Sequence, residues 1–267
     1  MQKHVRPALR HGSFGSRLAG LALVAGASLL FGAGSACADE CPAAPAEFDA
    51  NSAKLASLDS GADRKLEILA IGSSSTAGIG ASTPSHAYPA LLADELGRED
   101  KIAAQVRNAG VGGELAATTL QRLKAALKSG WPELVIWQVG TNDALVGVDE
   151  ALFRATVESG IAAARAAKVP LMLVGPQFTL KTPDVERYER FVGIVNEIGE
   201  KLRVPVLSRY AMMKQWGMKK ALALLSGDGL HMNDLGYRCL AHALAEEIEH
   251  AAGGGAQAGA KGPGDRS

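Results

Sequence analysis

Ile68-Leu69-Ala70-Ile71-Gly72-Ser73-Ser74-Ser75-Thr76-Ala77-Gly78 runs four apolar residues into a glycine, three serines and a threonine, and closes on a second glycine. A short apolar run bounded by turn residues predicts a buried strand, here Glu67–Ile71. Open α/β sheets bind their ligands beyond the carboxyl ends of such strands. Glycine on either side lets the backbone turn sharply, so that a serine hydroxyl and its own N–H can face one substrate atom. By itself the stretch has two readings. One is a nucleophile turn; the other is an ordinary serine-rich loop, or a phosphate cradle at a helix N-terminus.

Downstream, strands and helices alternate. Helix is predicted over His86–Gly97, with Leu91, Leu92 and Leu96 on one face and Gly97 as its stop. A short strand at Ala104–Asn108 precedes an amphipathic helix at Ala116–Lys128. The apolar run Glu133–Val139 has the character of a central parallel strand. Asp149 is placed to cap a helix running to Lys168, followed by a strand at Val169–Val174. The loop Gln177–Pro183 leads to a helix at Asp184–Leu202, a strand at Val204–Leu207 and a helix at Arg209–Leu225. Asn233–Ala252 closes the domain, with Leu235, Leu240, Leu244 and Ile248 as its apolar members. Five strands alternating with helices imply one parallel sheet covered on both faces. The loops after the first, second, third and fifth strands should then carry the chemistry.

Composition narrows the function. The 267 residues balance 28 Lys and Arg against 28 Asp and Glu, and only 5% are aromatic. Neither charge nor stacking surface points to nucleic acid. The length suits one good-sized core. Lys3, Arg6, Arg10 and Arg17 precede an uncharged run, Leu18–Ala38, that ends in Ala36-Cys37-Ala38. That is the pattern of a secretory signal peptide over residues 1–38, cleaved after Ala38 and leaving no stable membrane insertion. An uncleaved anchor competes with it, as does lipidation of Cys37, although the usual leucine three residues before that cysteine is missing. Cleavage removes four positive charges and no negative ones, so the mature chain, periplasmic or secreted, carries a net charge of −4. Export leaves Cys41 and Cys239 free to pair in an oxidising compartment. Residues 39–64 read as a lead-in, 65–252 as the domain and 253–267 as a disordered tail.

The predicted loops supply the parts of acyl transfer. Asn108-Ala109-Gly110-Val111-Gly112-Gly113 follows the second strand, Gly140-Thr141-Asn142-Asp143 the third, and Asp228-Gly229-Leu230-His231 lies just before the last helix. A hydroxyl nucleophile, a histidine base, a carboxylate to orient it and donors for an oxyanion are all present. These blocks resemble those of the SGNH (GDSL-type) serine hydrolases, in the same order, from Glu67 to Glu247. The resemblance implies a three-layer α/β/α sandwich with a five-stranded parallel sheet, the flavodoxin-like SGNH hydrolase fold. It makes Ser74 the nucleophile and Asp228 and His231 the rest of the triad. Ser74, Gly113 and Asn142 become the oxyanion donors. No cofactor or metal is implied. Position 73 departs from the pattern, being serine where the family usually has aspartate.

Blander readings stand beside several of these residues. Asn142 is suited to capping a turn, and His231 to a satisfied place in the core. His86 reads as a surface histidine, and His242 and His250 as structural or exposed. Glu114 and Asp143 read as solvated loop carboxylates. Trp137, Gln177, Phe178 and Trp216 are candidates for a substrate wall, with core packing as the competing role. Gly78-Ile79-Gly80 lacks the third glycine of a dinucleotide fingerprint at Thr83, no Gly-Lys-Ser/Thr ending marks a P-loop, and the histidines and cysteines are too scattered for a metal site. The expected activity is hydrolysis of carboxylic esters, on small or polymeric substrates. Short-chain or acetyl esters, including those on carbohydrates, are expected because no long apolar lid is evident. A lysophospholipase or thioesterase type of acyl hydrolase is the alternative, and a non-catalytic carbohydrate-binding module on the same fold is the reading from another class.

Overall fold

The computed structural model describes Cys41, residues 65–98 and residues 102–258, with the backbone alone for 252–258. All of these belong to one unit, residues 37–267. The expected signal peptide (residues 1–38), the expected lead-in apart from Cys41, and residues 259–267 lie outside the described residues. In chain order the elements are β1 (Leu66–Gly72), α1 (Ser74–Ala77), α2 (Tyr88–Gly97), β2 (Ala104–Gly110), α3 (Ala116–Lys128), β3 (Leu134–Gln138), α4 (Thr141–Val146) and α5 (Glu150–Ala166). They continue with β4 (Leu171–Val174), α6 (Val185–Leu202), β5 (Val206–Leu207), α7 (Arg209–Gln215), α8 (Met218–Ala223) and α9 (Asp234–Ala258).

The five strands form one parallel sheet in the order β2-β1-β3-β4-β5. Strand residues alternate between two cores, as a period of two requires. Ile68, Ala70, Leu134 and Ile136 pack with Leu92 and Leu96 of α2, Met212 of α7, and Leu240, Leu244 and Ile248 of α9. Leu69, Ile71, Val135 and Trp137 pack on the other face with Leu123 of α3, Phe153 and Val157 of α5, and Phe191 and Val195 of α6. This is the expected α/β/α sandwich. Chain progress across the sheet reverses between β1 and β3, and an open sheet of this kind has its ligand crevice at such a reversal.

Differences from the expected boundaries have local causes. The fourth and fifth strands start late because the N–H groups of Val169 and Val204 are spent on the carbonyls of Ala164 and Gly199 in the preceding helices, and the prolines that follow bring no N–H. The expected helix at Arg209–Leu225 is two helices, separated at Gly217, whose φ of +81° does not continue a helix. The closing helix runs on to Ala258, six residues into the expected tail, because extending a formed helix needs no new nucleus. Caps agree with the sequence: Asp149 accepts from the Leu152 N–H at 2.9 Å, and Asn233 from the Gly236 N–H at 3.0 Å.

Cys41 and Cys239 are joined in a disulfide across a sequence separation of 198. Both are buried, against Leu224 of the α8 end and beside Leu235 and Trp216. In the chain-entropy account a loop this long gains about 5 kcal/mol from the cross-link. Replacing both cysteines with alanine should therefore lower the unfolding free energy by several kcal/mol in denaturant titrations, with reductant reproducing the loss in the native protein.

Candidate active site

β1 delivers Gly72 to the carboxyl edge of the sheet, and α1 begins two residues later. The turn rests directly on β2: a Cβ at Gly110 would lie 2.0 Å from the Ala77 nitrogen and 2.5 Å from the Thr76 carbonyl carbon. Glycine is thus the residue that lets β2 pass beneath the turn. The Val111 N–H donates to the Gly72 carbonyl at 3.0 Å and pins the two strand ends together. Of the three serines, Ser73 is 5% and Ser75 2% exposed, whereas Ser74 is only part-buried.

The loop between α8 and α9 brings Asp228 and His231 to the same edge. Its ends close through a Leu225–Met232 bridge, with the Ser226 N–H donating to the His231 carbonyl at 2.8 Å. Asp228 Oδ1 accepts from the Ser226 hydroxyl at 2.8 Å and from the Leu230 and His231 N–H groups, both at 2.9 Å. Its Oδ2 lies 2.5 Å from His231 Nδ1, and His231 Nε2 lies 2.8 Å from Ser74 Oγ. Desolvation opposes the charge on Asp228, but the hydrogen bonds from the His231 side chain, the two backbone N–H groups and Ser226 hold its carboxyl well below the usual carboxylate range. An ionised Asp228 accepts a hydrogen bond from the Nδ1–H of the imidazole, which leaves Nε2 to accept from the serine hydroxyl.

On the opposite side, the Asn142 amide donates one hydrogen to the Glu114 carbonyl at 2.9 Å, tying the loop after β3 to the loop that carries Gly113. The N–H groups of Ser74 and Gly113 have no hydrogen-bond partner among the described residues. Glu114 and Asp143 are not solvated loop carboxylates. The Glu114 side chain is paired with Arg122, whose guanidinium also reaches the carbonyls of Ala109 at 2.8 Å and Gly72 at 3.4 Å. Asp143 is 3% exposed and accepts from the Ala116 N–H at 3.0 Å, capping α3; burial raises its pKa despite that bond.

Other candidates separate clearly. Trp137 is fully buried with Gly160 against its ring, so it belongs to the core. Trp216 and Phe178 are part-buried and pack on the α9-side core, with Phe178 also tilted against Tyr210. Gln177 is a buried bridge from the loop after β4, a loop outside the set expected to carry chemistry. It accepts from Thr141 Oγ1 and donates to the Leu230 carbonyl, both at 3.0 Å, and so links the loop of Asn142 to that of His231. His86 is half-buried, and its Nδ1 lies 2.7 Å from Ser82 Oγ, which in turn donates to Asp234 at 2.6 Å. His242 sits beside Glu95 and Glu246, and His250 is exposed. Gln138, a polar residue ending an otherwise apolar strand, and Arg122 were not singled out from the sequence. For Gln138 the polar break in Leu-Val-Ile-Trp-Gln is the signal; for Arg122 nothing separates it from other helix arginines. Among the described residues no three His, Cys, Asp or Glu side chains converge as metal ligands.

Over residues 40–254 the chain matches the non-GDSL lipase-like family. It is similar to the thioesterase 1/protease 1/lysophospholipase L1 of Escherichia coli, at 27% identity over 187 residues, 68% of this chain and 83% of that one. Esterase TesA of Pseudomonas aeruginosa is 29% identical over 166 residues, 61% of this chain and 78% of that one. Among solved structures, the lipase/acylhydrolase of Enterococcus faecalis superposes with a TM-score of 0.62 at 25% identity, covering 69% of this chain and 95% of its own. An SGNH-hydrolase family esterase superposes at 0.53 with 28% identity, covering 73% and 97%.

The contact of Gly110 with the turn yields a direct test. Gly110→Ala forces a methyl group onto backbone atoms that cannot rotate away, and should cost about 1–3 kcal/mol in thermal or chemical unfolding. Gly112→Ala, where nothing lies within 4 Å of the added carbon, should cost much less.

Proposed function

Because the chain belongs to the non-GDSL lipase-like family and is an SGNH-type carboxylic ester hydrolase, we propose that it works through an acyl-enzyme on Ser74. The observation that carries this reading is the continuous path from Asp228 Oδ2 through His231 to Ser74 Oγ, at 2.5 and 2.8 Å. Ser74 Oγ attacks the ester carbonyl as its proton passes to His231 Nε2. The developing negative charge on the carbonyl oxygen meets the N–H groups of Ser74 and Gly113 and the second amide hydrogen of Asn142. Each such donor contributes about 3 kcal/mol to lowering the barrier. Asp228 stays charged opposite the imidazolium. His231 then gives the proton to the leaving alcohol as its C–O bond breaks. Water adds to the acyl carbon while losing a proton to His231, and His231 returns that proton to Ser74 Oγ as the Oγ–acyl bond breaks and the acid leaves. The cycle uses these side chains and water.

We place the enzyme outside the cytoplasm, after removal of residues 1–38, on the strength of the basic, apolar and small-residue pattern there and of the Cys41–Cys239 bridge. No described helix is long and apolar enough to cross a membrane. Short-chain esters are the proposed substrates, because the connections flanking Ser74 are short loops and no extended apolar lid occurs among the described residues. A second reading, longer acyl chains, draws on exposed Ile79 and Val111, whose N–H groups bond to the carbonyls of Ser74 and Gly72 and so flank the serine. The names of the curated relatives lean the same way.

Ser74→Ala and His231→Ala should each lower kcat by several orders of magnitude while unfolding remains cooperative, and Ser75→Ala should keep most activity. A fluorophosphonate should label Ser74, not Ser73 or Ser75, in peptide mass spectra, and the same spectra should begin the mature chain at Asp39. Acetyl and butyryl esters should turn over faster than C8–C12 esters under matched solubility. The reverse order would select the longer-chain reading, and no turnover with any ester would leave a binding module.

A further inference from the structure

Gln138 ends the central strand β3 and is 2% exposed. Its side-chain oxygen Oε1 accepts from the Ser73 N–H at 2.9 Å, from Ser73 Oγ at 3.0 Å and from Thr76 Oγ1 at 3.3 Å. One amide oxygen thereby receives three donors from the turn that surrounds Ser74. Tyr88 lies 3.2 Å from Thr76 Oγ1. With Thr76 donating to Gln138, Tyr88 donates to Thr76 and closes the chain. The main chain of Gln138 also abuts the turn, since a Cβ at Gly72 would lie 2.7 Å from the Gln138 carbonyl oxygen. Four residues further on, the same segment carries Asn142. Gln138 therefore holds the Ser74 turn from the same chain segment that goes on to carry Asn142.

We infer that Gln138 is a positioning residue for the Ser74 turn, and that Ser73 is its matched neutral partner. The inference rests on the reading of Ser74 as nucleophile. The match explains why serine suits position 73. An aspartate there would set a carboxylate oxygen against Gln138 Oε1, acceptor against acceptor in a buried place, where unpaired polar atoms are costly. Turning the amide over would offer the aspartate a donor, but would leave the residue-73 N–H without the acceptor it now has in Gln138 Oε1. Ser73→Asp should thus impair this enzyme.

The test uses the mature protein with an activated acetyl ester and a fluorophosphonate, after Ser74→Ala has been shown to abolish turnover. A wild type inert to every ester fails the nucleophile reading; the variants below fail or support this one. Gln138→Leu removes the acceptor at similar volume. It should lower kcat by about thirtyfold with KM within about threefold, and slow Ser74 phosphonylation in parallel at temperatures well below its melting point. Gln138→Glu, which keeps two acceptor oxygens, should recover a large part of that loss, a rescue that a purely space-filling role would not give. Ser73→Asp should lower kcat by about tenfold or more. If Gln138→Leu fails to fold, the double variant Ser73→Ala/Thr76→Val, which removes two of the three donors, should show the same fall in kcat at constant KM. A folded Gln138→Leu, or that double variant, with kcat within threefold of wild type overturns the inference, and so does a Ser73→Asp enzyme as fast as wild type.

Discussion

Main chain lies on main chain where β1 gives way to α1, and the rest of the site depends on that contact. Gly72 pairs with Gly110 at the end of the β1–β2 ladder, and no side chain separates the Ser74 turn from β2. Such an approach sets the height of Ser74 above the sheet through hard repulsion, which does not yield with temperature or solvent as a side-chain contact would. Everything else has to meet the serine at that height. The loop before α9 reaches it with His231, itself wedged from beneath by Gly80, where an added Cβ would fall 2.9 Å from His231 Cβ. The loop after β3 reaches it with Asn142, and Gln177 ties those two loops to each other.

Beneath this arrangement lies a buried layer of phenols. Tyr88 meets Thr76, Tyr188 donates to the Gln177 carbonyl at 2.7 Å, and Tyr237 donates to the Ile79 carbonyl at 2.6 Å. Tyr88 and Tyr237 thus hold the Ser74 turn and the residues just after it, and Tyr188 holds the loop after β4. Burial pushes Tyr88 and Tyr188 up to about 12 and raises Tyr237 as well, so all three remain donors across the working range of pH. Arg209 sits among them, fully buried, with Nε donating to the Gly175 carbonyl at 2.7 Å. Burial lowers its pKa, while the three tyrosines work in the opposite sense. Polar groups placed this deep favour one arrangement of the loops, because any shift leaves a donor or acceptor without a partner.

Much of this was legible in the residues, and the reasons are physical. The strands read correctly because Leu134–Trp137 and Ile68–Ile71 are apolar on both sides, which only a sheet covered on two faces requires. Asp228 and His231 stood out because three residues of separation ahead of a helix is a local relation, visible without knowing the fold. The support of the site was not legible. Gln138, Gln177 and Arg122 act across separations of 65, 53 and 50 residues, on Ser73, Leu230 and Gly72 respectively. Nothing in their own neighbourhoods declares those partners. The two carboxylates taken as solvated, Glu114 and Asp143, misled for a related cause: their partners, Arg122 and the Ala116 N–H, become neighbours only once α3 has packed against the sheet.

The covalent bridge has a consequence in time as well as in stability. Residue 41 leaves the site of synthesis long before residue 239, at a sequence separation of 198 and with all five strands in that interval. The bond therefore cannot direct the early order of assembly. Its closure is a seal on a nearly finished molecule. Because α9 carries the second sulfur, docking of the final helix is what brings the two sulfurs together, and a chain cut short before α9 lacks Cys239 and leaves Cys41 unbridged.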